Sequence, residues 1–316
     1  MNSIKFYSGL EYSNWLVSLA IGKKYIDRFE KFILPLAKEY CLINNIGIAC
    51  VVNDIDGDLP IDVQGKKKTW QKLLIPFELN KYSDNFENVC YFDSDILFNP
   101  YGKNIFKYHV NDSIGIVSQV YGLPGDLLSA LKTISFSRNK YYSKEYPLDS
   151  AIFMDSKEYY NFHGYKEFND IACAGLYVAN LSSHKDILKK IFCKYKTNTD
   201  SLTDGGDEPA FNYEVRANMK INSLPYEFQA LWQYEMAWHY RDLYVQRDII
   251  NDNSLQAICN SLMNKTALHF AGSWYEASLC YDVRIIDKML SNEMREFFKY
   301  QNRPADSTPV GRIIPK

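Results

Sequence analysis

The chain has 316 residues, 36 Lys and Arg against 38 Asp and Glu for a net charge of −2, and 47% hydrophobic residues. That length buries a substantial core without staples and suggests about two domains or one large α/β domain. The balanced, interspersed charge argues against a nucleic-acid partner, despite one local basic run at Lys66, Lys67 and Lys68.

The 7 cysteines are odd in number, scattered and without a C-x-x-C pair, so neither a disulfide framework nor a zinc site is expected. A reducing, cytoplasmic compartment fits. The N-terminus MNSIKFYSGL lacks a leader pattern, and no stretch approaches the roughly 20 apolar residues that span a bilayer. Any association with a membrane is therefore expected to be peripheral, on the inner face.

In chain order, SIKFYS (3–8) reads as a first strand ending at Gly9. From Trp15 to Cys41 apolar residues recur near helical spacing, with Gly22 and Pro35 as interruptions, which predicts a helical return. IGIACVV (46–52) is a continuous apolar run closed by NDIDGD and reads as a parallel strand buried on both faces. TWQKLLIPFEL (69–79) predicts a helix containing a proline, and NVCYFDSDILFNP (88–100) supplies the next strand. This alternation predicts a doubly wound α/β sheet. Further strands are expected at 114–120, 175–181 and 267–272, and helices near 184–195, 208–219 and 285–300. There is no internal repeat or linker, and NRPADSTPVGRIIPK from Asn302 reads as a tail.

Asp93 and Asp95 break the apolar run at 88–100. In a strand, residues i and i+2 share a face, so the two carboxylates project together near its carboxyl end, where open α/β sheets bind ligands. Burying them bare would cost several kcal/mol, and a divalent cation is the economical compensation. Mg²⁺ and Mn²⁺ are commonly held by one or two carboxylates with substrate phosphates completing the shell. The alternative is an incidental D-x-D in a solvated turn or helix cap.

At this point the chain resembles a glycosyltransferase of the GT-A fold, and within that class family 8, which contains bacterial lipopolysaccharide galactosyl- and glucosyltransferases and glycogenin. WQKLLIPFEL (70–79) is similar to the family's Y-R-L-L-I-P-x-L-L helix and CYFDSDILF (90–98) to its Y-L-D-A-D-I-L strand. CAGLYVANL (173–181), DEPAFN (207–212), SLPYEFQ (223–229) and HFAGSW (269–274) follow in the family's order. The resemblance covers roughly residues 66–275. It implies a Rossmann-like nucleotide-diphosphosugar transferase fold with a mainly parallel central sheet and C-terminal helices. Residues 1–280 would form the catalytic domain and 281–316 a C-terminal helix and tail.

For individual residues, the resemblance implies metal ligation by Asp93, Asp95 and His269, with Asp93 also at the nucleotide ribose. An imidazole suits Mn²⁺ better than Mg²⁺; a histidine satisfied within the core is the alternative. Lys72 falls where the family has an Arg that reaches the donor, and offers charge without the bidentate fork; an exposed helix lysine is its alternative. Tyr12 falls near the family's nucleobase site, where stacking and plain packing compete. Gly272 is the glycine of the closing H-F-x-G segment and joins the donor-binding set.

The chain also departs from the family. Cys173 stands in place of Asn, and Glu208 in place of the Gln beside Asp207. Asp207 and Glu208 are thus the candidates for assisting catalysis, Glu208 as nucleophile, base or electrostatic support, or merely as a first-turn helix acid. Tyr275 and Glu276 follow the closing segment where the family continues to a diphosphate-binding Lys, so Lys72 or the 66–68 run would have to meet that charge; a solvated turn is the alternative for the run. The aromatic segment 228–246 reads as helical core ahead of an acceptor groove.

The reading is a metal-dependent transferase that moves a hexosyl group from a nucleotide sugar, UDP-linked, to a glycan or lipid-linked acceptor in bacterial surface polysaccharide synthesis, with retention. Two rivals stand beside it. A phosphatase or nucleotidyltransferase would also pair strand-end acids, but the dehalogenase-type phosphatase pattern wants Thr where Leu97 stands. The other rival is a non-catalytic glycan-binding scaffold. Donor sugar, acceptor, linkage and oligomeric state are not legible.

Overall fold

The computed structural model describes residues 3–141, 151–196, 206–245, 252–272 and 275–301. The expected tail from Asn302 lies outside them, as do Ser273 and Trp274 of the closing segment.

Ten strands form two sheets among the described residues: β1 (Ile4–Phe6), β2 (Asn14–Leu19), β3 (Gly47–Val51), β4 (Asn88–Phe92), β5 (Ile96–Phe98), β6 (Ser113–Ser118), β7 (Ala172–Asn180), β8 (Lys220–Leu224), β9 (Ala230–Leu231) and β10 (Ala267–His269). The large sheet has the order β1-β3-β2-β4-β7-β6-β8 and the small one β5-β10-β9. β2 runs parallel to β3 and β4, and β6 parallel to β8. β7 lies antiparallel between β4 and β6, and β1 antiparallel at the edge, so the sheet is mixed rather than purely doubly wound.

Both faces of the sheet are covered, as strand composition requires. In β2, β4 and β7 alternate residues face opposite layers. Leu16, Cys90, Phe92 and Val178 join one core, while Val17, Val89, Tyr91 and Tyr177 join the other. The aromatic segment is mostly core, with Trp232, Tyr234 and Met236 buried.

Two expectations are corrected. The first five residues of the helix expected from Trp15, through Leu19, belong to strand β2, and the helical return covers Lys23–Asn44, with a wider π turn at Phe29–Ile33. Trp15, Leu16, Val17 and Ser18 are all fully buried, which marks a central strand and defeats a periodicity argument. Gly22, at φ 98°, separates strand from helix, and Pro35 sits in the first turn after the π segment, where its missing N–H costs little. The helix expected at 285–300 is two helices, Val283–Met289 and Asn292–Gln301.

Candidate active site

The acids are not inside a strand. β4 ends at Phe92, and Asp93-Ser94-Asp95 forms a turn into β5, closed by Ile96 N–H donating to the Asp93 carbonyl at 3.1 Å. The turn still lies at the carboxyl ends of β2 and β4, because Ser18 pairs with Phe92 in the register.

His269 arrives from the small sheet. It is the last residue of β10 and pairs with Ile96, and Phe270 N–H donates to the Asp95 carbonyl at 3.1 Å. Its Nε2 therefore sits 3.2 Å from Asp95 Oδ1 and 3.9 Å from Asp93 Oδ2. One ligand atom from each of the three lies within 4.8 Å of the others. Asp95 Oδ1 is buried and faces His269 Nε2. Two carboxylate oxygens and an imidazole nitrogen converging in this way suit a divalent cation.

The ring and the acids are held from behind. His269 is buried, with its Nδ1 3.1 Å from the Gln229 amide and 3.4 Å from the Cys173 thiol. Burial works against the imidazolium, but Cys173 and Asp95 outweigh it and raise the His269 pKa well above its ordinary value. The Tyr91 hydroxyl donates a short hydrogen bond to Asp93 Oδ1, and burial with the Asp93 charge pushes that phenol up. Asp93 N–H donates to the Gly175 carbonyl at 2.8 Å. A methyl group on Gly175 would stand 2.4 Å from His269 Cε1 and 2.8 Å from Asp93 Oδ2, so only glycine leaves room for the cluster.

Lys72 and Asp207 form a buried ion pair, Nζ to Oδ2 at 2.9 Å, with side chains 4% and 3% exposed. Lys72 is no exposed helix lysine. Burial opposes its charge, yet Asp207 and then Asp93 raise its pKa above the ordinary lysine value.

Opposite β7 the β6 register shifts between Ile116 and Ser118. Ala174, in the irregular stretch, finds its backbone partners in site side chains instead. Its carbonyl accepts from Lys72 Nζ at 2.8 Å and its N–H donates to Glu208 Oε2 at 3.3 Å. Glu208 opens the helix Glu208–Asn218, and Asn212, one turn on, clamps both backbone groups of Ala172 at 2.8 Å each. The sheet edge thus gathers Asp93, Asp95, His269, Lys72, Asp207 and Glu208.

Tyr12 is not gathered there. It precedes β2 at the opposite end of the sheet, where Asn14 pairs with Asn88, and its ring packs edge-on to Trp15 at 6.2 Å. With β4 between them at about 3.3 Å per residue, the acids are well out of its reach. Helical spacing from Trp15 makes SIKFYS look like the strand leading to the site, whereas that strand is β2. The residues that leave the true strand, Ile21 and Gly22, line a cleft of about 440 Å³ with Asn53 and Asp54. Gly272 lies three residues beyond His269 with φ 97°, exposed.

Two of the three lysines of the basic run are held by other partners. Lys66 is buried, and its Nζ donates to the carbonyls of Val63, Phe192 and Tyr195 at 2.8, 3.0 and 2.7 Å, tying down a helix end. Lys68 pairs with Asp54 at 2.5 Å. The side chains of Tyr275 and Glu276 lie outside the described residues.

No protein-family model matches the sequence, and no curated protein matches it. Among solved structures, the apo bifunctional glycosyltransferase WbbM aligns with a TM-score of 0.50 at 12% identity, over 92% of this chain and 52% of that one. The fold is that of the GT-A glycosyltransferases. Weaker likenesses are a glycosyltransferase involved in glycosylation of the major capsid of PBCV-1 (TM-score 0.45, 11% identity, 87% of this chain and 98% of that one) and the galactosyltransferase LgtC in complex with donor and acceptor sugar analogs (0.47, 13%, 89% and 99%). No described helix is long and apolar enough to cross a membrane.

Proposed function

We propose that the chain is a metal-dependent glycosyltransferase that moves a hexosyl group from a nucleoside diphosphate sugar, UDP-linked, to a hydroxyl of a glycan or glycolipid, with retention. The observation that carries this reading is the convergence of Asp93, Asp95 and His269 from two separate sheets at the carboxyl edge of a GT-A fold. Mn²⁺ held there would act as a Lewis acid on the diphosphate.

The nucleotide is assigned to the cleft at the carboxyl ends of β2 and β3, beside the acids. The bond from the anomeric carbon to the diphosphate oxygen breaks with its electron pair on the diphosphate, and the acceptor oxygen bonds to the same carbon. Its proton passes to the departing phosphate oxygen or to Glu208. Glu208, held by the Ala174 N–H, supports the positive charge that develops on the sugar. Asp207 acts from beneath, by fixing Lys72 and through it the Ala174 carbonyl.

UDP-sugar hydrolysis measured with and without Mn²⁺ tests this. Hydrolysis is expected to require the ion and to fall at least about 100-fold in Asp95→Asn. Metal-independent turnover that survives the substitution would overturn the reading.

A further inference from the structure

β7 is longer than its place beside β6 requires. Its Tyr177 pairs with Ile116 and its Ala172 with Ser118, so β7 advances five residues while β6 advances two. The three extra residues fall in the stretch that serves the site. There Cys173 meets His269, Ala174 meets Lys72 and Glu208, and the Gly175 carbonyl receives Asp93 N–H. Such a bulge needs a hold from outside the pair, because β6 does not set its register.

The helix Glu208–Asn218 supplies that hold as a ladder of three rungs. Arg216 Nη2 donates to Asp170 Oδ2 at 2.9 Å, Asn212 bonds both backbone groups of Ala172 at 2.8 Å each, and Glu208 Oε2 accepts Ala174 N–H at 3.3 Å. Four residues of helix rise about 6 Å and two residues of strand about 6.6 Å, so steps of four along the helix keep pace with steps of two along the strand. Glu208 is the rung at the site, and Arg216 is the far one. The rungs are also tied to one another. Arg216 Nη1 donates at 2.7 Å to Asn212 Oδ1, the oxygen that accepts Ala172 N–H, and Asn212 Nδ2 donates to the Glu208 carbonyl at 3.1 Å. The guanidinium thereby fixes which end of the amide faces which backbone group, since a flipped amide would set N–H against N–H. Asp170 is anchored in turn, its Oδ1 accepting the Ser118 hydroxyl at 2.5 Å at the start of the bulge. The Arg216 side chain is 5% exposed and that of Asp170 25%, a largely desolvated pair that simple packing of this helix does not require.

We infer that Arg216 is a positioning residue for the transfer: anchored on Asp170, it sets Asn212 and through the ladder holds Glu208 against the Ala174 N–H, two helical turns away. The inference deepens the proposed function and rests on it for the part Glu208 plays in the reaction.

Two measurements on the full chain test it, with Arg216→Met made in the wild-type and in the Glu208→Ala background. The first is kcat for UDP-sugar hydrolysis at saturating Mn²⁺. Arg216→Met is expected to lower it at least about tenfold in the wild-type background and less than about twofold in Glu208→Ala, where no carboxylate remains to be placed. Mn²⁺ affinity, read by calorimetry, should stay within about twofold, since Arg216 touches none of the three proposed ligands. The second is exchange of the Ala174 amide proton, read by NMR, which should be at least about tenfold faster in Arg216→Met. Asp170→Asn keeps the shape of the anchor and sets an amide N–H against the guanidinium, so it carries the same expectations where Arg216→Met does not fold. An equal loss of kcat in both backgrounds, no loss in either, or unchanged Ala174 exchange would overturn the inference. The exchange readout separates the two claims. Faster exchange in a protein that hydrolyses no UDP-sugar keeps the hold on Glu208 and removes the transferase, whereas hydrolysis with unchanged exchange keeps the transferase and removes the role of Arg216.

Discussion

The side-chain amide of Gln229 lies 3.1 Å from Nδ1 of His269, with the residue buried and its Oε1 without a hydrogen-bond partner. A half-turn of the amide makes that oxygen accept the Nδ1 proton, which leaves the Nε2 lone pair facing Asp93 and Asp95. Gln229 is then a positioning residue for the proposed metal site. Gln229→Met is expected to weaken Mn²⁺ binding by about 10- to 100-fold, read by titration calorimetry, while Gln229→Glu, which keeps an acceptor at Nδ1, retains it. Equal affinities in the two variants would remove the role.

Lys72 and Asp207 are too buried for either charge to stand alone. Removing one partner, as in Lys72→Met or Asp207→Leu, leaves an uncompensated internal ion and is expected to cost about 3–5 kcal/mol in urea unfolding. The double variant should recover much of that loss, because an apolar pair is often near neutral in such a place. Additive losses would show that the pair is not the reason for the cost.

A pH effect follows from His109. Neither ring nitrogen has a hydrogen-bond partner among the described residues, and burial, with His184 nearby, lowers its pKa to about 4 from the ordinary 6.5. The unfolded chain therefore takes up a proton before the folded one does. Stability is full above about pH 6.5 and declines as pH falls toward 4. His109→Gln should flatten this part of a thermal-midpoint profile, and an unchanged slope would assign the acid lability elsewhere.

Much of this arrangement was legible in the residues themselves. NVCYFDSDILFNP places two acids at a strand end, and the resemblance carried by the later segments, ending in HFAGSW, implies His269 beside them. β2 was not legible, since an unbroken buried run such as NWLVSL fits helix and strand alike. With NWLVSL as strand, Tyr12 lies at the end of the sheet away from the acids. Lys72 and Lys66 were equally opaque, because whether a lysine meets solvent, a carboxylate or three carbonyls depends on chain segments 100 or more residues away. Gln229 and Gly175 lie in SLPYEFQ and CAGLYVANL, but only the fold brings His269 against them.

Gly175 gives the sharpest test of how little slack the site has. A Cβ there would meet His269 Cε1 at 2.4 Å, Asp93 Oδ2 at 2.8 Å and His269 Nε2 at 3.0 Å, all inside ordinary contact. These side-chain ends are held in place: His269 is backed by Gln229 and Cys173, and Asp93 is held by Tyr91. The Gly175 carbonyl also receives Asp93 N–H, so the backbone does not retreat without opening the joint between β4 and β7. Gly175→Ala should thus fold, with circular dichroism unchanged and a thermal midpoint lower by a few degrees, as about 1 kcal/mol of strain would give. Its Mn²⁺ affinity and UDP-sugar hydrolysis should each fall at least about tenfold. Wild-type metal affinity in a folded Gly175→Ala protein would mean that the ion, if bound, is not held between Asp93 and His269.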